Sequence, residues 1–313
     1  MTTKQIPVWI DCDTGTDDSV AIMLAHALPE LSVVALSAVA GNSPLYNTFP
    51  NTRRIVHLLG ADYPVYPGAE RPLVREPHVA GKFHGENGLG DVELPLPDCA
   101  PETTPAWDAL YEAAKRMPGE LRLVATGPLT NVAIALTKYP ELKTLLHSIA
   151  LMGGAAVGGN VTPAAEFNIL VDPEAAKIVF ESGVPIIMAG LDVTEKALIM
   201  PEDFERIRAL GNPVSDIVAK WLEFFYIFHK SIGYEGAPMH DPCAVMALIH
   251  PEVFTMRPMH VEIETQGEYC RGCTVGDQLG LSGKAPNAQV ILDVDRKAFA
   301  DRLVESMKFY GEG

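Results

Sequence analysis

The stretch Pro7-Val-Trp-Ile-Asp11-Cys-Asp13-Thr-Gly15-Thr-Asp17-Asp18-Ser-Val-Ala-Ile22 decides the fold. Its first four residues are a short apolar run of the kind found inside a sheet covered on both faces. The run ends abruptly in acids, Gly15 permits a tight turn, and a helix is expected over 19–28. Strand, polar turn and helix in this order make the first half of a βαβ unit. The alternation recurs along the chain. Leu31–Leu36, Leu121–Ala125, Ser148–Met152 and Pro185–Met188 read as buried strands, and helices are expected over 47–59, 104–116, 129–137, 173–182, 202–210 and 214–230. A last strand over Ala288–Asp295 and a helix over 297–309 can close the same sheet. The fold class is therefore α/β, with an open, mainly parallel sheet and helices on both faces.

Punctuation supports these elements. Asp172-Pro173 and Asp241-Pro242 each resemble an N-cap followed by proline at the first helical position. Gly183 and Gly211 stand where helices should stop. Glu93–Pro105 is proline-rich but short, and reads as a surface loop. With no Gly/Ser-rich or Pro-rich linker and no repeat, residues 1–313 are expected to form one domain.

Composition limits the partners. Lys and Arg number 24 against 40 Asp and Glu, a formal charge of −16. That balance argues against a nucleic-acid binder, whose affinity rests on basic residues, and against recruitment to an anionic membrane. No apolar run is long enough to span a bilayer, and Met1–Pro7 shows no secretory signal pattern. Cys270-Arg-Gly-Cys273 has C-x-x-C spacing, but the further ligands of a tetrahedral zinc site do not follow. Ordinary reduced thiols and a cytoplasmic location are the expectation.

In open α/β sheets, ligands bind beyond the carboxyl ends of the strands. Asp11, Asp13, Asp17 and Asp18 cluster directly after the first strand. Two acids could simply favour a helix N-terminus. Four so close would repel one another, a cost that a hard divalent cation relieves through carboxylate, carbonyl and water oxygens. Other strand ends are also polar. Gly41-Asn42 follows the second strand, Thr126-Gly-Pro-Leu-Thr-Asn131 the third and Met152-Gly-Gly154 the next. Gly159-Asn160 and Glu166-Phe-Asn168 add groups suited to a polyhydroxylated ligand such as a sugar, or to an ordinary polar loop. His84-Gly-Glu-Asn-Gly-Leu-Gly90 lacks the Lys-Ser/Thr of a phosphate loop and reads as a glycine-rich lid. His240 beside Asp241 could act as a general acid. Asp293-Val-Asp295 reads as a strand end and helix cap, and seven further histidines, His78 and His229 among them, show no partner pattern.

Taken in order, D-x-D-x-G-x-D-D, Gly41-Asn42, Thr126-Gly127, Glu166-Phe-Asn168 and His240-Asp241-Pro242 resemble the inosine-uridine preferring nucleoside hydrolase family. The matches run from about residue 8 to 250 and continue through Thr274 and Asn287. The resemblance implies a Rossmann-like nucleoside hydrolase fold, usually in homodimers or homotetramers, that hydrolyses the N-glycosidic bond of purine or pyrimidine ribonucleosides. It implies a calcium ion held by Asp13, Asp18, the Thr126 carbonyl and Asp241, with Asp13 as general base toward a water on that ion. Asp17, Asn42 and Asn168 would bind the ribose 2′- and 3′-hydroxyls, Asn160 and Glu166 the 5′ end, and Met152 would line the sugar. Asp11 would support the ligands from behind. His84 and His240 would face the base, His240 protonating it as it leaves. Thr14 stands where many members have proline, and Tyr226, Phe228 and Tyr234 are all possible as the aromatic contact to the base.

Two rivals stay open at this point. A magnesium-dependent phosphohydrolase of the haloacid dehalogenase type also begins with strand and D-x-D, although Gly15 and the missing downstream Lys do not suit it. A catalytically inactive nucleoside- or sugar-binding module is the other, against which the joint presence of Asp13, Asp18 and His240 speaks.

Overall fold

The structure, a computed structural model, describes residues 4–80, 85 and 87–311. Among these residues twelve strands and twelve α-helices alternate along the chain. The strands are β1 (Ile6–Cys12), β2 (Leu31–Ala38), β3 (Val65–Pro67), β4 (Arg122–Ala125), β5 (Ser148–Met152), β6 (Ile186–Ala189), β7 (Leu198–Ile199), β8 (Ala237–Pro238), β9 (Phe254–Met259), β10 (Val261–Ile263), β11 (Thr274–Gly276) and β12 (Ala288–Val294). The helices up to the middle of the chain are α1 (Thr16–Ala27), α2 (Leu45–Leu58), α3 (Ala106–Arg116), α4 (Thr130–Lys138), α5 (Leu142–Leu145) and α6 (Phe167–Val171). Then come α7 (Pro173–Phe180), α8 (Leu191–Thr194), α9 (Pro201–Arg208), α10 (Pro213–Ser231), α11 (Pro242–Ile249) and α12 (Arg296–Met307).

Eight strands form one sheet in the order β3-β2-β1-β4-β5-β6-β12-β9, while β7 pairs with β8 and β10 with β11 in small antiparallel ribbons. Every pairing from β3 to β12 in the large sheet is parallel, and β12–β9 is antiparallel. The expected last strand thus joins the sheet through β6. The edge strand β9 lies outside the expected set because Arg257 and Pro258 interrupt its apolar pattern. Proline cannot donate to a ladder, and is tolerated at an edge for that reason.

Strand alternation sorts β1 between two cores. Val8, Ile10 and Cys12 face the cluster that includes α1, α11 and α12, and Trp9 faces the one built from α3, α4 and α7. Trp9 donates its indole N–H to Ser37 Oγ at 2.8 Å and stacks on Tyr66 at 5.5 Å, which satisfies its only polar atom inside the sheet. Asp172 accepts from Ala175 N at 3.0 Å as the N-cap of α7, and Asp295 from Ala298 N at 3.0 Å as that of α12. Gly183 and Gly211, beyond α7 and α9, take positive φ of 83° and 68°. No helix among the described residues is long and apolar enough to cross a membrane.

The chain runs outward from β1 through β2 to β3, then returns across the sheet to β4 on the other side of β1. Such a reversal leaves a crevice at the carboxyl ends of the two central strands. Asp11 pairs in register with Ala125 there, so the residues that follow, Asp13 and Thr126, meet at the crevice.

Candidate active site

The acidic stretch after β1 turns at Gly15 into α1, which begins at Thr16 rather than near residue 19 and places Asp17 and Asp18 in its first turn. Asp18 Oδ2 accepts from Gly15 N at 2.8 Å, so this acid does cap its own helix. It is engaged further: Thr126 Oγ donates to Asp18 Oδ1 at 2.8 Å, and Asn42 Nδ2 to Oδ2 at 3.2 Å. Asp13 Oδ2 accepts from Asn42 N at 2.6 Å, whereas its Oδ1 is buried without a hydrogen-bond partner. Two glycines make room for this carboxylate. A Cβ at Gly41 would lie 2.2 Å from Asp13 Oδ2, and one at Gly127 2.8 Å from Oδ1. Asp241 occupies the N-cap position of α11 but makes no side-chain capping bond. It instead lies within 4.8 Å of Asp17 and Asp18 and hydrogen-bonds Asp17.

All four acids are buried. Burial pushes Asp17 up to about 6. It raises Asp13 and Asp241 well above the carboxylate range, with further upward pushes from neighbouring acids. The largest charge effects on Asp241 come from Asp17, Asp18, Asp13 and the Cys12 thiol, all acidic groups. A hard divalent cation fits this donor set. Carboxylates converge, Asp13 offers an unpartnered oxygen, and the Thr126 carbonyl, which accepts from Asn168 Nδ2 at 2.7 Å, keeps a second lone pair. The three acids in closest mutual approach are Asp17, expected on the ribose, Asp18 and Asp241, and the expected ligand Asp13 is not one of them. Asp11 lies behind the cluster: its Oδ1 accepts from Ser37 Oγ and from Asn131 Nδ2 at 2.8 Å, and burial raises it to about 6.

Above the acids opens a cavity of about 300 Å³. Of the expected residues, Asp17, Asn42, Thr126, Met152, Asn160, Glu166, Asn168, His240 and Asp241 line it. Asp11, Asp13 and Asp18 are not among its lining residues, and His84 is outside the described residues. Glu166 caps the short α6, accepting from Asn168 N at 2.9 Å and Ile169 N at 3.2 Å, and also from Gly154 N at 2.9 Å. Burial still lifts its pKa to about 7. Asn160 Oδ1 accepts from Phe167 N at 3.0 Å, tying the 156–165 loop to α6. Thr274, from β11, accepts from Ala155 N at 2.7 Å and so fixes the loop after β5.

The opposite wall is only partly legible in the sequence, through Phe228 and Tyr234. His78, Glu195, Phe225, Phe228, His229, Ile232 and Tyr234 all line the cavity. Of the three aromatic possibilities, Phe228 and Tyr234 reach it, and Tyr226 packs edge-on against Phe204 at 5.8 Å instead. His240 Nδ1 lies 2.8 Å from the buried Thr194 Oγ. A helix carrying aromatic residues at several successive positions was visible in 221–230, but which side faces a ligand depends on how α10 packs on α9. Cys270 and Cys273 are free thiols away from these residues.

The chain belongs to the family described as inosine-uridine preferring nucleoside hydrolase, whose model matches residues 8–301. It is accordingly an enzyme of the ribonucleoside hydrolase class, and the phosphohydrolase alternative gains no support. Among particular relatives, it is 51% identical over 308 residues to the pyrimidine-specific ribonucleoside hydrolase RihA of Citrobacter koseri, covering 97% of this chain and 99% of that protein. It is 50% identical over 309 residues to the enzyme of the same name from Salmonella arizonae, covering 98% and 99%. Among solved structures, the purine-preferring ribonucleoside hydrolase from Gardnerella vaginalis superimposes with a TM-score of 0.91 at 33% identity, covering 96% of this chain and 98% of that one. A plant nucleoside hydrolase, the PpNRh1 enzyme, gives 0.90 at 32%, covering 97% and 99%.

Proposed function

We propose that this enzyme hydrolyses the N-glycosidic bond of pyrimidine ribonucleosides to free base and ribose, with a calcium ion held by Asp13, Asp18, Asp241 and the Thr126 carbonyl. The observation that carries the reading is the unpartnered Asp13 Oδ1 in a buried nest of acids. Similarity to the two pyrimidine-specific relatives supports the choice of base over the more distant purine-preferring one.

When bound, the cation offsets the mutual repulsion of these acids and acidifies a water molecule. Asp13 Oδ1 accepts the proton of the attacking water, while Asn42 N holds Oδ2 and so fixes the carboxylate plane. Cleavage passes through an oxocarbenium-like state in which positive charge grows on the ribose. Asp17 and Asp241, at the cavity floor, lower the energy of that charge. Asn42, Asn160, Glu166 and Asn168 orient the sugar hydroxyls, and Met152 packs beneath the ring. His240 supplies a proton to the departing base, its ring orientation set by Thr194.

The test is to incubate the protein with cytidine, uridine, inosine, adenosine and a phosphomonoester, and to follow base, reducing sugar and phosphate. Base and ribose from the pyrimidine nucleosides first, lost on chelation and restored by calcium, is the expected result. Release from purine nucleosides alone would overturn the base assignment, and activity indifferent to prolonged chelation would overturn the metal.

A further inference from the structure

Besides His78, the wall of the cavity opposite the ribose groups carries three polar side chains that the reaction above does not use. They are Glu195 after α8, His229 near the end of α10, and Tyr234 beyond it. Gly233, at φ +101°, reverses the chain after α10, so that Tyr234 N reaches back to the His229 carbonyl at 3.0 Å. The Tyr234 ring then stands edge-on to His229 at 5.3 Å, and its hydroxyl donates to the Glu195 carboxylate. The three side chains are therefore one connected surface.

Their hydrogen-bonding capacities all have the same sense. The His229 Nδ1–H is committed to the Phe225 carbonyl at 2.8 Å, which makes Nε2 the acceptor nitrogen of a neutral ring. Burial, which lowers the His229 pKa, keeps that ring neutral. The Tyr234 proton is spent on Glu195, leaving the remaining carboxylate lone pairs for the cavity. No described cation pairs with Glu195. The adjacent Lys196 Nζ turns away to the Leu292 carbonyl at 2.7 Å and to Asp293.

We propose that Glu195, braced by Tyr234, and His229 form an acceptor-only wall that selects bases presenting an amino group on the edge remote from the sugar. The inference rests on the ribonucleoside reading of this same cavity and refines its substrate class. Cytidine N4 and adenosine N6 bring N–H donors to such a wall. Uridine O4 and inosine O6, nearly the same in shape, bring lone pairs against a carboxylate. A buried acceptor left facing another acceptor loses its hydrogen bond and keeps its desolvation cost.

The experiment compares kcat/KM within two pairs, cytidine against uridine and adenosine against inosine, for the calcium-loaded wild type, Glu195→Gln and Tyr234→Phe. Loss or gain of one hydrogen bond to a charged group predicts a wild-type preference for the amino member of about tenfold or more in each pair. Glu195→Gln, isosteric but able to donate, is expected to lower that ratio by about tenfold, chiefly by improving uridine and inosine. Tyr234→Phe should lower it less, because the carboxylate remains but is no longer held. Inhibition of the wild type by free cytosine and uracil gives the same comparison without turnover and without a variant, and cytosine should bind more tightly. Ratios within twofold of unity in both wild-type pairs, or unchanged in Glu195→Gln, would overturn the wall. The pyrimidine assignment is decided separately, by the pyrimidine rates against the purine rates. Failure to release base from any nucleoside would remove both readings together.

Discussion

Thr126 Oγ donates to Asp18 Oδ1 at 2.8 Å, while the carbonyl of the same residue receives Asn168 Nδ2 at 2.7 Å. One residue just after β4 therefore joins the acids after β1 to the Asn168 amide after β5. Replacing Thr126 by Val removes the hydroxyl and leaves the carbonyl. A hydrogen bond to a charged acceptor is lost, so Thr126→Val should cost about 1–3 kcal/mol of stability in urea unfolding. Calcium affinity, read by titration calorimetry, should fall about tenfold as Asp18 loses its orientation. A variant as stable as wild type and with equal affinity would separate Asp18 from this contact.

Asp13→Asn keeps the shape and the contact to Asn42 N but deletes a buried charge. Without metal the variant should melt no lower than the wild type, because an uncompensated buried carboxylate is costly. Base release should drop on the order of a thousandfold, and the rise in melting temperature on adding calcium should shrink. Wild-type turnover in this variant would exclude Asp13 as the base.

Glu166 has an ordinary value of 4.5 and a folded value of about 7. The folded state binds its proton more tightly than the unfolded chain does. Its stabilising contribution is thus present below the ordinary value and lost as pH rises through the folded one. The contribution is on the order of 3 kcal/mol. Glu166→Gln removes this dependence, so the unfolding free energy of the wild type minus that of the variant should fall from about pH 5 to about pH 8. A gap independent of pH would show that Glu166 ionises as in water.

Phe228 lines the cavity and Tyr226, two residues earlier, packs on Phe204. Phe228→Ala should raise KM for nucleosides about tenfold through the lost ring contact, with little change in melting temperature. Tyr226→Ala should do the reverse. Equal effects on KM would mean that α10 presents a different face to the base.

The central frame was readable because a parallel sheet buried on both faces writes itself as continuous apolar runs, and β1, β2, β4, β5, β6 and β12 all lie within a few residues of where those runs stand. Short or interrupted pieces escaped. β3 has only three residues, and β9 carries Arg257 and Pro258. The acids were legible because four carboxylates within eight positions are costly without a partner. The three-dimensional company of Asp241 was not. Its sequence suits a helix cap, and only the folded chain turns its carboxylate from the helix toward Asp17. A glycine reversal at Gly233 brings Tyr234 back to His229, and Glu195 comes from the distant end of α8, so no spacing in the sequence links the three.

Gly41 and Gly127 flank the Asp13 carboxylate so closely that even a methyl group at either position would collide with it. The chemical end of the cavity is thus shaped by atoms that are missing, and it has almost no room for adjustment. The far wall has side chains that can be exchanged one at a time. A lineage or an engineer altering which nucleosides this scaffold accepts is confined to that wall, and can change the base it prefers without disturbing how the bond is broken.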